Sequence, residues 1–126
     1  MRSIEEVLQP PTDAQAAVAL ARFAADVRRH YGPRLLGLYL FGSRSRGDAR
    51  PESDADVAVI LVDGPWRIID EARVLADLSY DRLIDDGLDI QAHPVPQSAW
   101  GDPALHPNPA LVRAMRRDGR PLGAMP

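Results

Sequence analysis

Residues 41–60 read FGSRSRGDARPESDADVAVI. The pair Gly42-Ser43 closes one apolar run, and Asp54-Ala55-Asp56 opens the next. Between them lies a loop carrying Arg44, Arg46 and Arg50. The flanking runs decide the fold. RLLGLYLFG (34–42) is short, apolar and bounded by Gly-Pro and Gly-Ser, which favours a buried strand over a helix. ADVAVILVDG (55–64), rich in Val and Ile, reads as a second strand.

Working outward, PTDAQAAVALARFAADVRRHYG reads as a helix, with Thr12 and Gln15 spaced as a capping box. Ala16, Leu20, Phe23, Val27 and Tyr31 form its apolar stripe, and Gly32-Pro33 stops it. PWRIIDEARVLADLSYDRLIDDG (65–87) is a second helix, with Pro65 in its first turn and Ile68, Ile69, Ala72, Leu75, Leu83 and Ile84 facing the core. Tyr80 lies at core-like spacing, and Asp85 and Asp86 read as solvated residues at the helix end. GLDIQAHPV (87–95) alternates as a third strand. Five prolines between Pro94 and Pro109 predict an irregular connection, and NPALVRAMRRDG (108–119) a last short helix. The sum is one α/β (α+β) domain over 1–126, a small mixed sheet of three to four strands flanked by helices. Its core is expected at about 34–119, preceded by the helix at 12–31.

Composition narrows the function. The net charge is −3 and all 15 basic residues are Arg, so no broad basic surface is available for duplex DNA, and no sequence-specific DNA binding is expected. The chain has no cysteine, which excludes disulfides and thiolate metal sites. No run approaches the roughly 18 apolar residues of a membrane span, and MRSIEEVLQPP lacks the apolar core of a signal peptide. A cytoplasmic location is expected.

The carboxylates carry the chemistry. In a strand, residues i and i+2 share a face about 6–7 Å apart, so Asp54 and Asp56 project side by side while Val57 and Val59 go to the opposite face. Two such charges repel, and divalent cations remove the conflict. Asp89, between Leu88 and Ile90, is the natural third carboxylate, because a charge in an apolar strand needs a reason. Gly42 lets the backbone approach a ligand closely. Ser43 then offers a hydroxyl and N–H groups at a short helical turn, a setting that attracts phosphate. Arg44 and Arg46 could pair with phosphate oxygens. Taken singly, each feature is more often structural: a D-x-D starts many strands, and an arginine-rich turn is usually a solvated one. His93 shares the face of Asp89, Trp66 reads as core packing, and His30 and His106 read as surface residues.

In combination these residues resemble the minimal nucleotidyltransferase (MNT) family of the DNA polymerase β-like superfamily. Gly42-Ser43, ten residues, then Asp54-Ala55-Asp56 match its G-S…D-x-D signature. Arg46-Gly47, Ser53 and Asp89 fit its accessory positions, and RRDGRPL is similar to its common ending. The resemblance implies a polymerase β-like fold and a single nucleotidyltransferase domain. It implies that Gly42 and Ser43 hold the phosphates of a nucleoside triphosphate, with Arg46 beside them. Asp54, Asp56 and Asp89 would bind two Mg²⁺ ions, with ATP as donor. Larger relatives carry a second domain for the acceptor, for which this chain has no room. The resemblance therefore implies a partner protein, a HEPN-type ribonuclease toxin adenylylated on a tyrosine, with this chain as its antitoxin. The alternatives are an antitoxin that acts by occlusion alone and an enzyme modifying a small molecule of aminoglycoside type.

Overall fold

A computed structural model describes residues 9–122. The N-terminal stretch read above as lacking a signal peptide lies largely outside them. Helix α1 spans Asp13–Tyr31. Its capping box is formed: Gln15 N–H donates to Thr12 Oγ1 at 3.1 Å, and Thr12 N–H to Gln15 Oε1 at 2.9 Å. Ala16, Leu20, Phe23, Val27 and Tyr31 are all buried, as their spacing predicts. Helix α1 thus contributes to the core rather than merely preceding it.

The strands are β1 (Leu35–Phe41), β2 (Ala55–Leu61), β3 (Ile90–Pro96) and a short β4 (Arg120–Pro121). They form one mixed sheet in the order β3-β2-β1-β4, with β2 and β4 antiparallel to β1 and β3 parallel to β2. Strand β2 is covered on both faces. Val57, Val59 and Leu61 pack with Phe23 and Val27 of α1 and with Leu75 of α3 (Ile68–Asp86). Ala58 and Ile60 pack with Val112 and Met115 of the helix Pro109–Asp118. A one-turn helix α2 (Ser43–Arg46) follows β1, α4 (Gln97–Gly101) follows β3, and Pro109–Asp118 is α5. Burial of these apolar side chains on the two faces of β2 is the main stabilising term.

Four expectations are corrected. Helix α3 begins at Ile68 rather than at Pro65. The Trp66 indole N–H donates to the Val62 carbonyl at 2.8 Å and folds the approach into a loop. Ile69, Tyr80 and Ile84 are exposed, because α3 meets the core through Leu75 and Ser79 and leaves its flank open. Asp86 is not a solvated residue: Arg22 at 2.7 Å and Arg82 at 2.8 Å hold its carboxylate, tying α1 to α3. The Pro94–Pro109 region is largely regular. It includes the end of β3, α4, and a 3₁₀ turn at Pro103–Leu105.

Proline is tolerated in β3 because β3 is the edge of the sheet. Ala55 N–H donates to the Asp89 carbonyl at 2.9 Å, which begins the ladder with β2. By the alternation of a parallel ladder, Pro94 and Pro96 then face the open side, where a missing N–H breaks no ladder bond. The prolines also blunt that edge against pairing with another chain. No helix among the described residues is long and apolar enough to cross a membrane.

Candidate active site

The turn after β1 brings backbone against a carboxylate. Gly42 adopts φ 75 and ψ −156, a region essentially restricted to glycine. A Cβ at this position would lie 2.6 Å from Asp56 Oδ2. The chain then enters α2, where Ser45 N–H and Arg46 N–H both donate to the Gly42 carbonyl at 3.1 Å. With those two N–H groups bonded to Gly42, the N–H groups of Ser43 and Arg44 at the start of α2 have no acceptor within the helix.

Arg44 and Arg46 of the loop are engaged with the protein. The Arg44 guanidinium donates to the Ser53 carbonyl at 2.8 and 3.1 Å and to the Pro51 carbonyl at 3.2 Å, which holds the chain that leads into Asp54. Arg46 lies 3.3 Å from Asp48 and 3.3 Å from Asp118, and these two acidic partners hold its proton more firmly than usual. Ser45 is buried and its hydroxyl donates to the Asp118 carbonyl. The α2 turn is thereby fastened to the end of α5. Sequence reasoning missed Asp118, which lies 72 residues from Arg46 and carries no local signal.

Asp54 sits just before β2, Asp56 within it, and Asp89 just before β3. Parallel pairing of Ala55 with Ile90 sets Asp54 beside Asp89, one residue earlier on each strand. The Asp54 carboxyl is pushed above the ordinary carboxylate value, first by burial, then by the charge of Asp89 and a proton-sharing hydrogen bond with it. The charge of Asp56 acts in the same direction, and Arg44 opposes it. Asp89 Oδ1 accepts from Gln91 Nε2 at 3.1 Å. His93 Nε2 lies 4.0 Å from Asp56 Oδ1. Trp66 packs against the core, as expected, and Trp100 stacks on Tyr39 with ring centroids 5.1 Å apart.

Among the described residues, no three acidic or imidazole groups close around a single point as a metal cage would. Unneutralised carboxylates repel, so an open arrangement is the expected one. The donor set nonetheless fits a hard divalent cation. Its candidate donors are carboxylate oxygens, and Asp54 is raised first by burial and then by the charges of Asp89 and Asp56, both of which a bound cation would offset.

The raised Asp54 value has a measurable consequence. A carboxyl whose folded value lies above its unfolded one binds its proton more tightly in the folded chain. The stability this contributes is full below the ordinary carboxylate value and is lost as pH rises through the raised one. At pH 7 the ionised Asp54 therefore works against folding. Asp54→Asn is expected to raise the melting temperature at pH 7 in a chelating buffer, and the gain should vanish below pH 3. Equal or lower melting at pH 7 would count against the repulsion.

The nucleotidyltransferase domain family matches this chain over residues 20–98, a span holding α2, all three aspartates and the strands that carry them. The chain belongs to that family. The span begins within α1, in agreement with that helix's place in the core. A Methanocaldococcus jannaschii protein, provisionally named a protein adenylyltransferase, is 35% identical over 71 residues, covering 56% of this chain and 48% of that protein. The chain thus spans about half the length of that relative. A provisional nucleotidyltransferase from Sulfolobus solfataricus superposes with a TM-score of 0.54 at 17% identity, covering 86% of this chain and 83% of its own. A mutant of the toxin-antitoxin MntA-HpeT gives 0.53 at 21%, covering 81% and 71%. The CdnE cyclic dinucleotide synthase of Elizabethkingia meningoseptica gives 0.52 at 15%, covering 76% and 45%. At these identities the structures establish the nucleotidyltransferase fold.

Proposed function

We propose that this nucleotidyltransferase moves AMP from ATP to a hydroxyl of a partner protein. The partner in this reading is a HEPN-type ribonuclease toxin, the hydroxyl belongs to one of its tyrosines, and the chain is the antitoxin that silences it. The observation that carries the reading is the Gly42 turn pressed against Asp56, with Asp54 and Asp89 set side by side next to it. Support for a protein acceptor comes from the M. jannaschii relative, whose name is that of a protein adenylyltransferase.

Asp54, Asp56 and Asp89 would hold two Mg²⁺ ions, which when bound neutralise phosphate charge and orient the triphosphate. The first-turn N–H groups at Ser43 and the close backbone at Gly42 would receive the β- and γ-phosphates. Arg46 would reach a phosphate only by giving up Asp48 or Asp118, so its place in this reading is to fix the turn. Asp89, whose Oδ1 accepts from Gln91, would take the proton of the attacking hydroxyl. The bond from the acceptor's hydroxyl oxygen to the α-phosphorus forms, the bond from that phosphorus to the α–β bridging oxygen breaks, and pyrophosphate leaves.

The test is incubation with α-labelled ATP, Mg²⁺ and the product of the adjacent gene. Label on that protein is the expected result. Label on neither protein, with a stable complex between them, would replace this reading with inhibition by occlusion.

A further inference from the structure

His93 stands in strand β3 on the same side as Asp89 and Gln91, by the alternation of the strand. Its register partner in β2 is Ala58, fully buried and with only a methyl group. That leaves the imidazole free to lean along the sheet toward Asp56. Nε2 comes within 4.0 Å of Asp56 Oδ1, and the two side chains are 34% and 35% exposed. Asp56 Oδ2 is bounded on its side by Gly42. Phe41 lies against the imidazole at 5.7 Å between centroids, tilted by 55°, and limits the ring's rotation. His106, on the loop before α5, is close enough to feel the charge of His93. Among the described residues, no arginine forms an ion pair with Asp56.

We propose that His93 is a positioning residue that fixes the Asp56 carboxylate from the side opposite Gly42. The proposal rests on the reading of Asp56 as a cation ligand. A carboxylate bounded by the Gly42 turn at one oxygen and by the imidazole edge at the other has less rotational freedom to lose when it takes a cation, and groups that orient ligands in this way commonly contribute 10–100-fold in metal affinity. The imidazole here orients a ligand and touches neither substrate nor nucleotide.

The measurement is Mn²⁺ affinity of the purified chain, read from the free-ion electron paramagnetic resonance signal, with thermal melting to verify folding. His93→Leu keeps an apolar contact with Phe41 and removes the N–H, and is expected to weaken Mn²⁺ binding by about tenfold. His93→Gln can donate to Asp56 and is expected to recover most of that loss. A folded His93→Leu chain that binds Mn²⁺ as tightly as the native one overturns the proposal, as does a His93→Gln chain no better than His93→Leu. Asp56→Asn serves as the reference and should lose Mn²⁺ binding. If it binds like the native chain, the cation-ligand reading fails as well, which separates that failure from a failure of His93 alone.

Discussion

Asp56→Asn is expected to lower nucleotidyl transfer by about 10³-fold, at the upper end of what removal of one preorganised electrostatic group costs. The substitution keeps the shape of the side chain and removes its charge. Asp56 pairs with Phe41 across β1 and β2, and its two oxygens face Gly42 and His93. Its side chain is 35% exposed and contributes to neither apolar cluster, so the core that holds β2 is untouched. Melting should therefore stay close to that of the native chain. Triphosphate binding through the Ser43 turn should weaken less than transfer does. The decisive comparison is the initial rate of label incorporation against the melting temperature. An unfolded variant loses both, whereas an electrostatic role costs the rate alone. Near-native transfer by Asp56→Asn would remove this carboxylate from the chemistry.

Local patterns were legible in the sequence; pairings across long separations were not. The stripe on α1 and its capping box depend on residues three or four apart, and they stand as read. Strand parity places Asp54 and Asp56 on one side because its period is two residues. The meeting of Asp54 with Asp89 follows from parallel pairing of β2 and β3, which only the return of the chain through α3 permits. Periodicity alone does not specify that crossover. Arg46 shows a similar limit: a basic residue after Gly-Ser suggests a phosphate ligand, and its ion pair with Asp118 at the end of α5 has no local signal. On α3, the pattern identifies apolar positions without showing which of them a neighbour covers, so Ile69 and Ile84 were assigned to a core that α3 meets on the side of Leu75 and Ser79. Pro94 and Pro96 suggest a loop until the strand order reveals an edge. His93 was placed on the right face, but its distance to Asp56 depends on cross-strand register.

Gly42→Ala is the second large effect, and Gly47→Ala is its control. Both glycines have positive φ, 75 and 81. Gly47 is left-handed at ψ 14, and nothing lies within 4 Å of a Cβ placed there. Alanine at that position should cost roughly 1–2 kcal/mol of stability through backbone strain alone. Gly42 lies in a region that side chains avoid more strongly, at a cost of order 1–3 kcal/mol. Its added Cβ also meets Asp56 Oδ2 at 2.6 Å, so either the turn or the carboxylate must move. Moving the carboxylate displaces it from His93 and from its neighbours Asp54 and Asp89. Moving the turn withdraws the Ser43 donors. Either adjustment disturbs the juxtaposition of phosphate grip and acid cluster, and misplacement of about 1 Å can cost about 10²-fold in rate. Gly42→Ala is therefore expected to lose about 10²-fold or more in transfer with a stability cost at least that of Gly47→Ala, which should retain most of its rate. Equal rate losses in the two variants would show that backbone strain, rather than the approach of Gly42 to Asp56, accounts for the effect.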